Sequence, residues 1–377
     1  MSQHRKFLFF YLDTGAGHKS SARVLEQAIL DKYPDCEIKL VNGFMPHRLG
    51  HFIYERGYNA SLSFLRGSYP LTYDVGFFRP FITTTELMIM PETIAHLKKL
   101  ILKEQPTDIV NFHFALTPHL KRVVKHLPFK VNLTVMVTDP FTAHPFWFYE
   151  KNMSYLVFSQ QLKDYAVKKC KVPEKNITVV PFLLNKKFKN APTKEEILSL
   201  REKHGYDPNK KIVLLVGGGE GLPGATGIIN QCILKKANFT VIAVCGRDKL
   251  LYQRLSLVKL ANPNLDLRLY EFVTFLDELV KLSDCAVVKA GPATLMEVIS
   301  CRKPTIICRY IHNQELGNMH YAVDNKVGYF IQKSNKIYDK INELLNDKDF
   351  EAKMQANFDK LSLDTDTSKV ADLLLAK

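Results

Sequence analysis

Three stretches of the chain combine residue types and spacings that could carry chemistry. The first is DTGAGHKSSA, residues 13–22. Gly15 and Gly17 allow a tight turn with close backbone approach. A helix beginning there would aim free N–H groups and the positive end of its dipole at an anion or a polarised oxygen. His18 stands where a general base could face a ligand, although the same residues also read as a helix-capping turn with an incidental histidine. The second stretch is LLVGGGEGLPGATG, residues 214–227. It holds Gly219-x-Gly221-x-x-Gly224, the spacing of a dinucleotide fingerprint, with Asp248 about where such a motif places its ribose-binding acid. A loop of this kind speaks for a cradled phosphate more than for one particular nucleotide. The third covers residues 287–318, where Gly291-Pro292 turns into a helix at Ala293-Thr294, with Glu297 one turn in. The polar run His312-Asn313-Gln314-Glu315 and Asn318 follows. Helix-start N–H groups and the Thr294 hydroxyl suit a diphosphate, a carboxylate one turn along suits ribose hydroxyls, and the later carboxamides and carboxylate suit a sugar.

These residues need elements to hold them. Short apolar runs rich in β-branched and aromatic residues alternate with helical patterns along the chain, the mark of parallel βαβ units. Strands are expected at 6–12, 37–41, 108–114, 132–137, 155–158, 178–180, 212–216, 240–245, 267–272, 285–288, 305–308 and 329–331. Helices are expected at 20–33, 93–104 and 294–301, among others. The fold class is α/β, with two doubly wound sheets. The polar, basic stretch 184–196 marks the break, giving an N-terminal domain over 1–188 and a C-terminal domain over 189–377 whose last helix packs back on the first. Residues 44–91 fit neither pattern: Arg48, Arg56, Arg66 and Arg79 lie among Phe52, Tyr54, Tyr58, Phe64, Tyr69, Phe77 and Phe78 without clean periodicity. They read either as an irregular cap on the first core or as a segment that docks at a lipid interface.

Composition narrows the partners. An excess of 52 Lys+Arg over 38 Asp+Glu gives a net charge of +14, which favours a polyanion: nucleic acid, anionic lipid or a phosphorylated substrate. Seven scattered cysteines without a C-x-x-C pair fit a reducing compartment and argue against a disulfide frame or zinc site. No run reaches the ~18 apolar residues of a spanning helix; with the cysteine usage the expected location is cytoplasmic, and the docking reading of 44–91 adds peripheral attachment to the inner face of a membrane.

The ordered set DTGAGH, VTDPFTAHPFWF, VGGGEGLPG, CGRD, EFVTFLDELVKLSDCAVVKAGPATLMEVI and NQELGN resembles the monogalactosyldiacylglycerol synthases and processive diacylglycerol glucosyltransferases, of the family 28 glycosyltransferase type. More distantly it resembles the peptidoglycan N-acetylglucosaminyltransferase. The resemblance implies a GT-B architecture, two Rossmann-like domains facing each other across a cleft. It also implies an inverting, metal-independent transfer of a hexose from a UDP-sugar to a lipid acceptor such as diacylglycerol, with no cofactor beyond the UDP-sugar co-substrate. Carried onto this chain, Gly217, Gly218, Gly219, Gly221, Arg247, Phe272, Val273, Gly291, Pro292, Ala293 and Thr294 hold the UDP, with Glu297 on its ribose. Gln314, Glu315 and Asn318 lie near the donor sugar. His18 and Asp139 are the base candidates, His18 favoured because a neutral imidazole accepts a proton at pH 7. Gly15, Gly17, His113 and His144 fall on the acceptor side. The chain departs from the family at Thr14-Gly15-Ala16-Gly17, where three glycines are usual, at Ala293, and at His312-Asn313 in place of Pro-Gly. Two other classes account for parts of the sequence: an NAD- or sugar-nucleotide-dependent oxidoreductase or epimerase, on the 219–224 spacing, and a non-catalytic protein of anionic membranes or RNA, on charge. The first is disfavoured because no Tyr-x-x-x-Lys pair follows in a suitable place, the second by the intact order of donor-type motifs and the lack of an RNA-module signature, so no nucleic acid partner is expected.

Overall fold

The structure, a computed structural model, describes residues 5–13, 17–45, 75–311 and 314–376, and of 75–89, 348, 350 and 351 the backbone alone. Contacts divide the chain into two compact units. One is Met1–Leu183 with His312–Gln314 and Asp364–Lys377, the other Leu184–Ile311 with Glu315–Leu363.

The first unit is built on strands β1 (Lys6–Tyr11), β2 (Glu37–Asn42), β3 (Asp108–Asn111), β4 (Asn132–Met136), β5 (Ser154–Val157) and β6 (Ile177–Val179), paired in the order β2-β1-β3-β4-β5-β6. Every neighbouring pair is parallel. A parallel sheet is covered on both faces, which is why β1 reads KFLFFY as an unbroken apolar run and buries Phe7 to Phe10 completely. Helix α1 (Gly17–Lys32) returns over the sheet on Leu25, Ala28 and Ile29, the three-to-four spacing of one helical face. Helix α2 (Val75–Glu104) takes up the end of the segment that the sequence reads as irregular. Its last part is the helix expected at 93–104; before that, Pro80, Pro91 and Thr83 to Thr85 lower the local helix propensity and the sequence shows no clean helical period. Residues 46–74, with Arg48, Arg56 and Arg66, lie outside the described residues, as does the side chain of Arg79. Helices α3 (Thr117–Val124) and α4 (Gln160–Lys168) complete the βα alternation. The C-terminal helix Thr367–Leu375 also belongs to this unit and packs on α1. Asp372 accepts from the Tyr33 hydroxyl at 2.6 Å and from Lys32 Nζ at 2.6 Å, and Arg5 donates to the Leu375 carbonyl at 3.1 Å.

The second unit repeats the plan with β7 (Ile212–Val216), β8 (Thr240–Val244), β9 (Leu267–Tyr270), β10 (Cys285–Lys289), β11 (Thr305–Arg309) and β12 (Gly328–Phe330), in the order β12-β11-β10-β7-β8-β9. Its helices are α5 (Lys194–Lys203), α6 (Ala225–Leu234), α7 (Lys249–Ala261), α8 (Leu276–Leu282), α9 (Pro292–Ser300), α10 (Leu316–Asp324), α11 (Ser334–Asn346) and α12 (Lys348–Phe358). Thr193 and Glu196 form the start signal of α5, the Thr193 hydroxyl accepting from Glu196 N at 3.1 Å.

The strand orders place the chemistry. In the first sheet the chain winds outward from β1 to β2 and then crosses to β3 on the other side. In the second it does the same from β7 and crosses back to β10. Loops leaving such a reversal diverge, and a crevice opens at the carboxyl ends of the two strands. The opposite, amino ends are tied by buried charge. Asp108 takes Arg5 at 2.9 Å and Asn132 at 2.8 Å, while Asp284 takes Arg201 at 2.8 Å and the amide of Ile212 at 2.7 Å.

Candidate functional site

In the first unit the loops after β1 and β3 bring two histidines together against a tryptophan. His18 is the second residue of α1, and Thr138 Oγ1 lies 2.9 Å from its Nδ1. Its ring meets His113 edge-on at 4.7 Å between centroids and Trp147 at 6.1 Å. Desolvation by these neighbours pushes the imidazole down to about 4, the backbone of Phe112 working the other way. At neutral pH His18 is therefore uncharged and keeps a lone pair, at low basicity.

His113 and His144 are held by their own turns. His113 Nδ1 accepts from Ala115 N at 3.2 Å at the start of the turn Phe114–Leu116. His144 Nδ1 accepts from Phe146 N at 3.3 Å at the start of Pro145–Phe148, its ring stacked 5.0 Å from Phe146. An Nδ1 that accepts leaves the proton of a neutral imidazole on Nε2. Burial, with the charge of His18, holds His113 well below the usual range, and burial puts His144 at about 4. Asp139, also buried, accepts from Trp147 Nε1 at 2.9 Å and from Gln314 Nε2 at 3.4 Å. Gln314, which the sequence assigns to the donor sugar, is grouped with the first unit, and its carbonyl accepts from Thr142 at 2.8 Å. Gly15 lies outside the described residues, and a Cβ on Gly17 would meet nothing within 4 Å, so packing does not demand glycine there.

A pH dependence follows from these rings. His113, His144 and His119 of α3 are all buried with depressed pKa values, His119 at about 4. Each binds fewer protons folded than unfolded, so the stability it contributes is full above about 6.5 and is lost as pH falls toward 4. The first unit is expected to melt at lower temperature as pH drops through this window. Thermal melts with hydrogen exchange read by unit check this, and a melting temperature that stays level from pH 7 to pH 4.5 overturns it.

In the second unit β7 ends in the glycine loop and β10 in Ala290-Gly291-Pro292. Gly218, Gly221 and Gly224 have φ of +80°, +69° and +89°, the left-handed region that favours glycine. The loop also packs backbone to backbone against the CGRD turn. A Cβ on Gly221 would come within 2.7 Å of the Cys245 carbonyl, one on Gly246 within 2.4 Å of the Gly219 carbonyl, and Arg247 N donates to Gly219 O at 2.7 Å. A Cβ on Gly217 would stand 2.0 Å from Gly221 O. Close packing alone therefore explains part of the glycine pattern. Gly218 instead faces Thr294, whose Oγ1 would be 3.7 Å from a Cβ there, so the loop and the start of α9 converge. Both α6 and α9 have glycine at the N-cap, Gly224 and Gly291, and no side-chain acceptor on their first N–H groups. Pro292 occupies the first helical position of α9, where its missing N–H costs nothing, and Ala293 follows.

Glu297 lies one turn along α9. Burial, and then the charge of Asp277, raise its carboxyl to about 7. No protein hydrogen bond to this carboxylate is found among the described residues, which leaves it open to hydroxyl donors. Glu315 is 2% exposed and fully engaged, Oε1 3.1 Å from Lys289 Nζ and Oε2 accepting from Ile311 N at 2.9 Å. Asn318 is buried and donates to the Ala290 carbonyl at 2.9 Å, which fixes the end of β10, while its Oδ1 is buried without a partner. Arg247 lies over the exposed ring of Phe272 at 5.5 Å, with Val273 next in the chain. Sequence reasoning passed over Thr138, Trp147 and Lys289. The first two lie beside Asp139 in VTDPFTAHPFWF. Lys289, directly before the AGP turn, is a cation set at Gly291, its Nζ 3.3 Å from where a Cβ would be.

Two doubly wound units of this kind, each with its candidate residues at the strand-order reversal, define the GT-B class of glycosyltransferase folds. The solved structure of MurG from Acinetobacter baumannii shares that fold over 100% of both chains, with a TM-score of 0.62 at 13% identity. Residues 18–180 match the family model for monogalactosyldiacylglycerol (MGDG) synthase, and residues 212–372 match the glycosyltransferase family 28 C-terminal domain. The two halves of the chain thus match models of the MGDG synthase and family 28 glycosyltransferase type. Monogalactosyldiacylglycerol synthase 1 of Arabidopsis thaliana is 28% identical over 352 residues, 88% of this chain and 63% of that protein. A processive diacylglycerol beta-glucosyltransferase of Bacillus licheniformis is 26% identical over 268 residues, 71% of this chain and 68% of its own length. The chain thus spans a little under two thirds of its plant relative.

Proposed function

We propose that this protein is an inverting glycosyltransferase that moves a hexose from a UDP-sugar to a lipid acceptor, of which diacylglycerol is the nearest chemistry, at an anionic membrane surface. The observation that carries the donor half is the convergence of two uncapped helix starts and a glycine loop at one strand-order reversal, with the Glu297 carboxylate one turn beyond. Helix dipoles and free N–H groups there suit a diphosphate. Glu297 takes the ribose hydroxyls, Phe272 with Arg247 offers a ring face to the base, and Lys289 adds charge beside Gly291 as the leaving UDP gains its negative charge. Glu315 orients Lys289, and the Asn318 Oδ1 is the remaining open acceptor. No metal or cofactor is required in this reading. In the first unit His18 is the base that takes the acceptor hydroxyl proton, with Thr138 fixing its ring. Asp139, held by Trp147, sets the polarity beside it. Among the described residues no helix is long and apolar enough to cross a membrane, so a lipid acceptor would be met from the surface. The names of the relatives, a galactosyl- and a glucosyltransferase of diacylglycerol, support the acceptor class and leave two hexoses to be distinguished.

Thermal shift against a panel of nucleotides tests the donor. A ligand at a hundred times its Kd stabilises by about 2.7 kcal/mol, which moves the melting temperature of a unit this size by several degrees. UDP and either UDP-galactose or UDP-glucose are expected to give that shift, and NAD none. A shift with NAD and not with UDP would return the protein to the oxidoreductase reading.

A further inference from the structure

Among the described residues, α7 exposes more large aliphatic side chains than any other helix. Leu250, Leu257 and Leu260 are 72%, 69% and 80% exposed, while Leu255 on the opposite side is fully buried and anchors the helix to its unit. On the other helices, among the described residues, Leu102, Leu198 and Leu234 are each the one large aliphatic residue exposed on their helix, which is ordinary for a protein surface. At about 100° per residue the three leucines fall within an arc of about 80° that they share with Gln253, with Lys249 at one edge and Arg254 at the other. The helix is 13 residues long and its sequence, KLLYQRLSLVKLA, carries three basic residues and no acidic one. Asp248, just before it, is turned inward as the cap, accepting from Leu251 N at 2.8 Å.

We propose that this face of α7 is a lipid-docking surface, lying in the headgroup region of an anionic phospholipid bilayer with its leucines turned toward the acyl chains. An apolar stripe with basic edges and no acid fits such a surface in both apolar burial and charge. Lys249 and Arg254 bury their stems beside the leucines and keep their charges at the lipid phosphates. A protein partner is the weaker match, because protein interfaces are depleted in lysine and built on aromatic anchors that this face lacks. The surface is carried by the donor unit and is separate in sequence from residues 44–91. The choice of a bilayer rests on the lipid-acceptor reading above, whereas the test reads attachment of one helix to vesicles without diacylglycerol, so the two can fail separately.

The protein has one tryptophan, Trp147, which is buried, so Leu257→Trp places a reporter on the face against a constant background. Phosphatidylglycerol–phosphatidylcholine vesicles are expected to shift its emission to the blue, and brominated lipid to quench it. In co-sedimentation, Leu250→Ser/Leu257→Ser/Leu260→Ser should weaken vesicle binding roughly tenfold or more, as should Lys249→Gln/Arg254→Gln at low salt. The UDP thermal shift should stay as in the unaltered protein, which also shows that the variants are folded. Unchanged emission with vesicles that sediment the protein overturns the proposal, as does unchanged vesicle affinity of the leucine variant. Lack of vesicle binding by the unaltered protein, or a dimer without lipid that the leucine variant abolishes, overturns it equally.

Discussion

His18→Ala is expected to lower turnover by roughly 10²–10⁴ and to leave UDP affinity near that of the unaltered protein. A general base acts on the acceptor hydroxyl in the transition state, and His18 stands in the first unit whereas the proposed donor groups stand in the second. The ring is held by Thr138 and desolvated against His113 and Trp147, which places its pKa at about 4. A base protonates as pH falls, so its limb of the turnover profile should lie near pH 4 to 5, below that of an ordinary histidine. Asp139→Asn should do similar but smaller damage, because the amide can still accept from Trp147 while the charge beside the site is lost. Single-turnover rates with saturating UDP-sugar make the measurement. A His18→Ala protein that keeps more than about a tenth of wild-type turnover removes His18 from the base role.

Glu297→Ala is expected to weaken UDP by about 1.5–3 kcal/mol, a factor of roughly ten to 150, since a hydrogen bond to a charged group is lost. The pH dependence separates this from a general disturbance of α9. Free Glu297 titrates at about 7, raised by burial. Ribose hydroxyls donating to the carboxylate favour its charged form and lower that pKa in the complex. UDP binding should therefore release protons, be strongest above pH 7, and weaken as pH falls below it. Glu297→Gln keeps an acceptor but cannot titrate, so its affinity should be flat across the same range. Calorimetry in two buffers of different ionisation enthalpy reads both affinity and proton release. Wild-type affinity that is level from pH 8 to 5.5, or an alanine variant that binds UDP as the wild type does, takes Glu297 out of the site.

Much of the architecture lies in the linear pattern. The twelve expected runs become the twelve strands of the described residues within a residue or two at most ends, because central strands covered on both faces are apolar runs and the helices between them are not. The first part of α2, before the helix expected at 93–104, is the clear exception, hidden by its prolines and threonines. The glycine clusters at 217–224 and 291 and the polar residues after them stand out as candidate binding residues because glycine and charge are dear in an apolar α/β chain.

What those residues do for one another is settled only in three dimensions, and the reason is distance along the chain. Thr138 reaches His18 across 120 positions, so no local pattern could pair them. Gly221 and Gly246 are needed because two loops meet backbone to backbone, which a motif reader takes for ligand approach. Glu315 looks free for a sugar and is instead occupied by Lys289 and Ile311, while Glu297, read from the sequence as a ribose carboxylate, is buried with no protein hydrogen bond found among the described residues. The leucines of α7 follow the same rule. Which leucines of KLLYQRLSLVKLA face outward is decided by the packing of α7 on its other side, through Leu255.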